Sequence, residues 1–310
     1  MEIRKILLAT DFSSGSRLTF APVADLARRL EASIELVNCM MFPWQYTPAG
    51  LLTSGGPLDE LGALHRRNLE LEAADPSFSG LQVSTRFLEG VGADTVHASA
   101  LQSGTDLIVQ SSRGLTGLKR LLLGSFAEQM LRVSNVPVLT FKWGETGDAT
   151  PSRQFRPRRI LFPYDFSSAA RTALETVRFL GITYGATVEV LYAWSSVDNV
   201  VPLYGAGGMG LVIEPVSNRE EFTGRLLNDL REFSARELNG LEHEEEVVAG
   251  DPSAAILTRA AENRADLICM STHGWTGLKK MFLGSVAEKV LRGSPCPTWI
   301  VRTPEADLKD

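Results

Sequence analysis

The chain has 310 residues, of which 44% are hydrophobic and 22% are charged, and its formal net charge is −6. This length allows about two domains of ordinary size, and the composition excludes disordered and collagen-like chains. The negative charge argues against a protein that binds DNA or anionic lipid through bulk electrostatics.

In the first half of the chain, short β-branched runs alternate with amphipathic stretches. Runs typical of strands cover residues 3–9, 33–40, 81–88, 106–110 and 136–142. Patterns with a helical period cover residues 14–30, 58–74, 93–102 and 125–132. A polar segment that carries Pro151, Pro157 and several arginines follows the last of these runs and is typical of a linker.

The second half shows the same alternation. Strands are predicted at residues 159–163, 187–193, 244–249, 266–270 and 298–302. Helices are predicted at residues 168–184, 218–238, 252–263 and 285–292. Strands that alternate with helices and are almost continuously apolar indicate a parallel sheet covered on both faces, so we expect an α/β fold in each half.

The two halves also repeat each other in sequence. The block that begins at Arg4 and ends in Asp-Phe-Ser-Ser returns from Arg158 with the same ending, and the block that begins at Asp106 returns from Asp266. A period this long indicates two domains rather than a solenoid. We therefore predict a first domain at residues 1–143, a linker at 144–157 and a second domain at 158–303.

Ligands of doubly wound sheets bind beyond the carboxyl ends of the strands, where the strand order reverses. The loop after the fourth strand is rich in Gly and Ser in both halves, and it ends at the start of a helix. Glycines allow a ligand to approach the backbone, and a helix N-terminus favours phosphate. The alternative is that Gly124 turns the chain and Ser125, with capping-box spacing to Glu128, caps the helix. Recurrence of the loop in both halves favours phosphate binding.

The loop after the first strand carries Asp11 in one half and Asp165 in the other, each followed by Phe-Ser-Ser. A carboxylate in this position can accept a hydrogen bond from an amine or hydroxyl of a ligand. The alternative is a helix N-terminal signal. The serine pairs already supply that signal, which leaves both readings of the aspartates open.

These residues give both halves a resemblance to the universal stress protein family. It rests on Asp-Phe-Ser after strand one and on the nucleotide motif Gly-x2-Gly-x9-Gly-Ser/Thr after strand four, and it covers nearly the whole chain as a tandem pair. The resemblance implies two doubly wound five-stranded parallel sheets of order 3-2-1-4-5, of the adenine nucleotide alpha-hydrolase-like type. It also implies ATP as the ligand, with adenine near the aspartate and the end of strand two.

The resemblance carries a set of contact residues onto each half. Adenine contacts fall on Asp11 and the backbone of Cys39, and on Asp165 and the backbone of Ala193. Phosphate and ribose contacts fall on Ser111, Ser112, Arg113, Gly114, Gly124, Ser125 and Phe126 in the first half. In the second half they fall on Ser271, Thr272, His273, Gly274, Gly284, Ser285 and Val286.

The chain departs from the motif at its first glycine, which is Ser111 in one half and Ser271 in the other. Members of the family that lack the motif do not bind ATP. Arg113 stands where the other half has His273, and a guanidinium can bind phosphate in a bidentate manner, which would make the two sites unequal.

The expected function is therefore that of an ATP-binding tandem universal stress protein, a nucleotide-dependent regulator or sensor in the stress response. The alternative is a protein-interaction module of the same fold that binds no nucleotide. The sequence shows no Ser/His/Asp or Cys/His arrangement and no metal-ligand spacing among its four histidines. At most we expect weak ATP hydrolysis, with Mg²⁺ supplied by solvent.

Two expectations concern location and assembly. Three scattered cysteines, no long apolar run and a carboxylate soon after the N-terminus predict a cytoplasmic protein. The last strand of each half would be an exposed sheet edge. Family members dimerise through this strand, so we expect the halves to pair as an intramolecular pseudo-dimer, with association of whole chains left open.

Overall fold

The computed structural model describes residues 1–41, 57–112, 124–142, 154–195, 200–203, 212–215, 219–272 and 283–302. The chain divides into two compact units. The first unit spans Glu2–Phe155, and the second spans Arg156–Asp310 together with Met1.

The first unit contains five strands and five α-helices among its described residues. The strands are β1 (Lys5–Ala9), β2 (Ser33–Met41), β3 (Val83–Gly90), β4 (Leu107–Ser111) and β5 (Val138–Phe141). The helices are α1 (Ser14–Arg17), α2 (Phe20–Leu30), α3 (Pro57–Ala73), α4 (Gly92–Gln102) and α5 (Ser125–Val133). All neighbouring strands are parallel, in the order β3-β2-β1-β4-β5.

The second unit repeats this plan. Its parallel sheet has the order β10-β7-β6-β11-β12. The strands are β6 (Arg159–Pro163), β7 (Thr187–Trp194), β8 (Val200–Leu203), β9 (Val212–Pro215), β10 (His243–Ala249), β11 (Leu267–Ser271) and β12 (Thr298–Val301). The helices are α6 (Ser168–Tyr184), α7 (Arg219–Glu237), α8 (Pro252–Glu262) and α9 (Ser285–Gly293). Strands β8 and β9 form a separate antiparallel pair that the sequence patterns did not predict.

When the strands of each main sheet are numbered from the start of its unit, both sheets have the order 3-2-1-4-5, which confirms the predicted fold class. The burial of the central strands explains why the fold has helices on both faces of each sheet. Ile6, Leu7 and Leu8 in β1 are fully buried in succession, and so are Leu107 and Ile108 in β4. Side chains on opposite faces of a strand are buried together only when helices cover both faces of the sheet.

The single helix predicted over residues 14–30 is wrong. The structure has two helices there, α1 and α2, separated at Leu18 and Thr19. Pro22 explains the break, because it has no N–H to donate to the carbonyl of Leu18 and its ring crowds that carbonyl. The proline lies in the first turn of α2, where a missing N–H costs little.

Each unit buries one glutamate on its second strand, but the two units pair it differently. Glu35 is 4% exposed and accepts hydrogen bonds from the guanidinium of Arg86 on β3 at 2.8 and 3.1 Å. Glu189 is 1% exposed and is paired with Arg259, which lies on α8 and also contacts Glu246. A buried carboxylate is tolerated only when it is paired, so both arginines hold their sheets together.

Candidate functional site

A cavity of ≈ 240 Å³ lies at the carboxyl ends of β1, β2 and β4 in the first unit, where the strand order reverses. It brings together most of the residues predicted to contact a ligand there, namely Asp11, Cys39, Ser111, Ser112, Gly124, Ser125 and Phe126. The predicted residues Arg113 and Gly114 lie outside the described residues.

The cavity wall also contains residues that the motifs did not indicate. Thr10 and Asn38 come from the strand ends, Gly92 and Val96 from the first turns of α4, and Gln110 from β4. One of them could have been found from the sequence, because Gln110 is an amide that directly follows the apolar residues Leu107–Val109 of β4. The positions of Gly92 and Val96 depend on how α4 packs, which no local pattern reveals.

The loop after strand one has the same unusual backbone in both units. Phe12 and Phe166 have positive φ values of 65° and 63°. A bulky residue in this region is a backbone outlier, and such strain tends to occur at functional sites. One carboxylate oxygen of Asp11 accepts the N–H of Ser13 at 3.1 Å, and Asp165 accepts that of Ser167 at 3.0 Å. The aspartates therefore hold the loop in shape.

The serines of these loops cap the helices that follow, as the sequence predicted. The side chain of Ser13 accepts the N–H of Ser16 and caps α1, and Ser167 accepts the N–H of Ala170 and caps α6. Asp11 is not the capping residue of α1, and it lines the cavity instead.

The N-terminus of α5 reaches the cavity without a side-chain cap. Gly124 is the N-cap, and a glycine has no side chain with which to cap the first turn. The capping-box reading of Ser125 is therefore wrong: Ser125 is the first helical residue, and Glu128 instead forms an ion pair with Arg132. Ser125, Phe126 and Ala127 all line the cavity, so the end of the helix that carries partial positive charge meets it.

A polar network supports the cavity from the side of α3. The buried carboxylate of Glu72 accepts hydrogen bonds from the hydroxyl of Thr10 at 2.7 Å and from Arg17 at 2.8 Å. The amide of Asn38 donates to the carbonyl of Thr10, and its oxygen bonds to His65 Nδ1, both at 2.8 Å. Since the oxygen of Asn38 can only accept, His65 donates from Nδ1.

His65 packs between two aromatic rings, with centroid distances of 5.4 Å to Phe12 and 5.5 Å to Phe87. Burial lowers the pKa of His65 below its usual value. The folded chain therefore binds this proton less readily than the unfolded chain does. The stability that follows is present above the ordinary histidine pKa of about 6.5 and is lost as the pH falls through the lower pKa of the folded state.

We predict that His65→Gln reduces the loss of stability in mild acid. Glutamine can still donate to Asn38 but does not titrate. Urea unfolding of both proteins at about pH 8 and about pH 5.5 should show a smaller drop in unfolding free energy for the variant. Equal drops in the two proteins would contradict this account. The comparison at about pH 8, where the histidine is neutral in both states, controls for lost packing.

The second unit carries its predicted residues at corresponding positions. Asp165 and Ala193 lie at the ends of β6 and β7, and Ser271 and Thr272 at the end of β11. Gly284 is the N-cap of α9, its N–H donates to the carbonyl of Thr272 at 2.9 Å, and Ser285 and Val286 begin the helix. His273 and Gly274 lie outside the described residues.

The surroundings of these residues differ from those in the first unit. Tyr164 stands where the first unit has Thr10, and it is stacked on Phe233 with ring centroids 4.0 Å apart. Burial raises the pKa of Tyr164 to about 12. Helix α8 is capped by Asp251 and begins with Pro252, whereas α4 begins with Gly92 and has no side-chain cap. At the end of its first strand, the second unit therefore has a stacked aromatic pair where the first unit has the hydroxyl of Thr10.

Two kinds of feature are absent from the described ranges. No group of three or more His, Cys, Asp or Glu side chains there could hold a metal ion. Within the same ranges, no helix has the length and apolar character needed to cross a membrane.

The model of the universal stress protein family matches residues 2–142 and 157–302. A universal stress protein of Methanocaldococcus jannaschii is 30% identical over an alignment of 159 residues, which covers 47% of this chain and 94% of that protein. One from Mycolicibacterium smegmatis is 27% identical over 225 residues, covering 72% of this chain and 70% of that protein.

Among solved structures, a universal stress protein from Archaeoglobus fulgidus aligns with a TM-score of 0.68 at 23% identity, covering 97% of this chain and 99% of that one. At this identity the likeness supports the fold alone.

Proposed function

This chain belongs to the universal stress protein family, and on that premise we propose that it binds ATP and acts in the stress response as a nucleotide-dependent regulator. The first-unit cavity is the proposed site. The observation that carries the proposal is the meeting of a helix N-terminus whose N-cap is a glycine with a cavity at the point where the strand order reverses.

The N-terminus of α5 suits the phosphates. Gly124 has φ −61° and ψ 144°, which any residue can adopt, so the backbone conformation does not require a glycine. A glycine at this position instead leaves the first N–H groups of the helix open to a ligand.

Ser112 supports the same assignment. It is 3% exposed and lines the cavity, and its hydroxyl has no hydrogen-bond partner among the described residues. Buried polar groups are normally paired, so a hydroxyl left unpaired beside a cavity suits a polar ligand.

The opposite side of the cavity suits a base. Ala9, Val37 and Val96 give it an apolar surface, and Asp11 offers a carboxylate at its edge. Small-molecule sites commonly combine an apolar lining with a few polar groups that orient the ligand.

Calorimetric titration of ATP into the full chain tests the proposal. We expect saturable binding in the wild type and a loss of about ten- to a hundredfold in affinity for Asp11→Ala, the usual effect of losing a charge-assisted hydrogen bond. Asp11→Asn is the matched control for the loop, because its amide oxygen can still accept the N–H of Ser13. Absence of ATP binding at millimolar concentration in a folded wild type would overturn the proposal.

One observation favours the alternative, a protein-interaction module. Leu61, Leu64 and Leu71 of α3 are 40%, 52% and 65% exposed at helical spacing, so one face of the helix presents apolar side chains to solvent. The same titration decides between the two functions, since an interaction module with an empty cavity would show no heat of ATP binding.

A further inference from the structure

One of the three cysteines of the chain lies in the cavity wall of the first unit. Cys39, near the end of β2, is half-buried, whereas Cys269 and Cys296 are only 0% and 7% exposed. The register of β1 with β2 and of β6 with β7 makes Ala193 the counterpart of Cys39 in the second unit. The fold therefore does not require a thiol at this position.

The sulfur of Cys39 lies at the start of a helix. It accepts a hydrogen bond from the backbone N–H of Gly92, the first residue of α4, and the N-cap residue Val91 makes no side-chain hydrogen bond to that helix. The partial positive charge of a helix N-terminus favours a thiolate. Burial has the larger, opposite effect and raises the pKa of Cys39 above its ordinary value. The thiolate, which is the reactive form, is therefore a minor species near neutral pH and becomes more abundant as the pH rises.

The cavity restricts which oxidant can reach this sulfur. Its volume is ≈ 240 Å³, and its wall includes the apolar side chains of Ala9, Val37 and Val96 together with the carboxylate of Asp11. An anionic oxidant would lose hydration against the apolar wall and would be repelled by the carboxylate. Hydrogen peroxide is small and uncharged, and it both donates and accepts hydrogen bonds.

A second, independent observation indicates a polar guest in the same cavity. Ser112 is 3% exposed and lines the cavity, and its hydroxyl is unpaired among the described residues. Buried hydroxyls normally have a hydrogen-bond partner, so the cavity is suited to a guest that supplies one.

We propose that Cys39 is a peroxide-modification site, and that its oxidation and the binding of nucleotide exclude each other. The sulfur attacks one oxygen of hydrogen peroxide: the S–O bond forms, the O–O bond breaks, and the departing hydroxide takes up the thiol proton to give water. The sulfur loses two electrons to the peroxide, and the product is a cysteine sulfenic acid. The exclusion rests on the proposed function, whereas the modification itself requires no nucleotide.

The exclusion follows from where the added oxygen lies. It would add volume and a polar group to the part of the cavity that we assign to the base, and both oppose the packing of a flat ring. A bound nucleotide would in turn cover the sulfur and keep peroxide out. Cys39 is the one cysteine in the sequence of the first unit, so no neighbouring thiol of that unit can convert the sulfenic acid into a disulfide. The oxidised form should persist until a small thiol reduces it.

The first test exposes the full chain, without nucleotide, to hydrogen peroxide and traps sulfenic acid with dimedone. Peptide mass spectrometry locates the label. We expect Cys39 to be labelled at least about tenfold faster than Cys269 or Cys296, and its rate to rise about tenfold from about pH 7 to about pH 8, as the thiolate fraction does below the pKa. Cys39→Ala, which introduces the residue of the second unit, should lose this label, and the matched variant Cys296→Ala should keep it. In a wild type that is folded by circular dichroism, equal labelling of the three cysteines or no label on Cys39 overturns the inference.

The second test measures the exclusion in both directions. Saturating ATP should slow the labelling of Cys39 by about tenfold or more, in line with a covered sulfur. Calorimetric titration of the peroxide-treated chain should show an affinity for ATP about tenfold lower than that of the untreated chain, and dithiothreitol should restore it. Peroxide treatment of Cys39→Ala controls for oxidation of methionines, because it should leave the ATP affinity of that variant unchanged. An equal loss in Cys39→Ala would assign the effect to another residue and overturn the exclusion.

The outcomes separate this inference from the proposed function. If the folded wild type binds no ATP, the proposed function fails, and selective labelling of Cys39 in the nucleotide-free chain still decides whether the modification site exists. If ATP binds but Cys39 is labelled equally fast with and without it, the nucleotide site stands and the exclusion is overturned.

Discussion

Replacing Gly124 with aspartate should stabilise the fold while lowering the affinity for ATP roughly a hundredfold or more. Gly124 is the N-cap of α5 and already has a backbone conformation open to any residue. An aspartate there can accept an N–H of the first turn, favour the helix dipole and restrict the unfolded chain. Together these effects should add about 0.5–1 kcal/mol to the unfolding free energy.

The same carboxylate opposes an anionic ligand. It would occupy the N–H groups that we assign to phosphate and would place a negative charge about 4 Å from it, worth roughly 4 kcal/mol at an effective dielectric constant near 20. Calorimetric titration with ATP and thermal unfolding measure the two effects in one preparation.

Two matched variants make the result interpretable. Gly124→Asn caps the helix without a charge, so the difference between the two variants isolates electrostatic repulsion. Gly284→Asp makes the same change at the N-cap of α9 in the second unit and reports whether that unit contributes to binding. A Gly124→Asp chain that binds ATP as tightly as the wild type would show that the N-terminus of α5 does not hold the phosphates.

Removing the guanidinium of Arg259 should destabilise the chain by about 3–5 kcal/mol. Arg259 is the partner of Glu189, which is 1% exposed, and it also contacts Glu246, whose pKa is raised by burial. Without Arg259, the neighbouring carboxylates of Glu189 and Glu246 would share a poorly solvated position, where the described residues offer only the more distant Arg159 as a cation. Chemical unfolding of Arg259→Met measures the loss.

A double variant distinguishes an unpaired charge from lost packing. Glu189→Gln combined with Arg259→Met removes the most buried charge together with its partner, so most of the lost stability should return. A double variant as unstable as Arg259→Met alone would mean that the aliphatic part of Arg259, and not its charge, stabilises this region. Arg236→Met is a suitable control, since Arg236 is an exposed arginine that pairs with its neighbour Glu237.

The fold could be predicted from sequence because its determinants are periodic and occur twice. Buried strands such as β1 and β4 appear as continuous apolar runs, and the repeat locates each strand a second time. The periodicity did not reveal the break between α1 and α2. Pro22 interrupts the first helix without disturbing its apolar pattern, so the pattern alone gave one helix where there are two.

The candidate site was only partly predictable for a different reason. Residues next to glycines and strand ends, such as Asp11 and Gly124, belong to a spaced motif and could be named. Gln110 and Asn38 are single amides that belong to no spaced motif, and their roles depend on partners distant in sequence, Ala127 and His65. The alternative in which Ser125 caps α5 places the N-cap one residue too late, because Ser125 and Glu128 have the spacing of a capping box although Gly124 is the N-cap.

The buried glutamate of the second strand has its arginine partner on a different element in each unit. This difference limits which segments of the two units could be exchanged by recombination. In the first unit the arginine is on the third strand, as Arg86, and the following helix carries the small Ser99. In the second unit the third strand carries Glu246, and the following helix carries the arginine. A recombinant that joins strands from the second unit to α4 would contain two carboxylates, Glu189 and Glu246, with the more distant Arg159 as their cation among the described residues, and the reciprocal recombinant would contain two guanidinium groups for one buried carboxylate. Although the halves repeat each other, charge thus disfavours a crossover between β3 and α4.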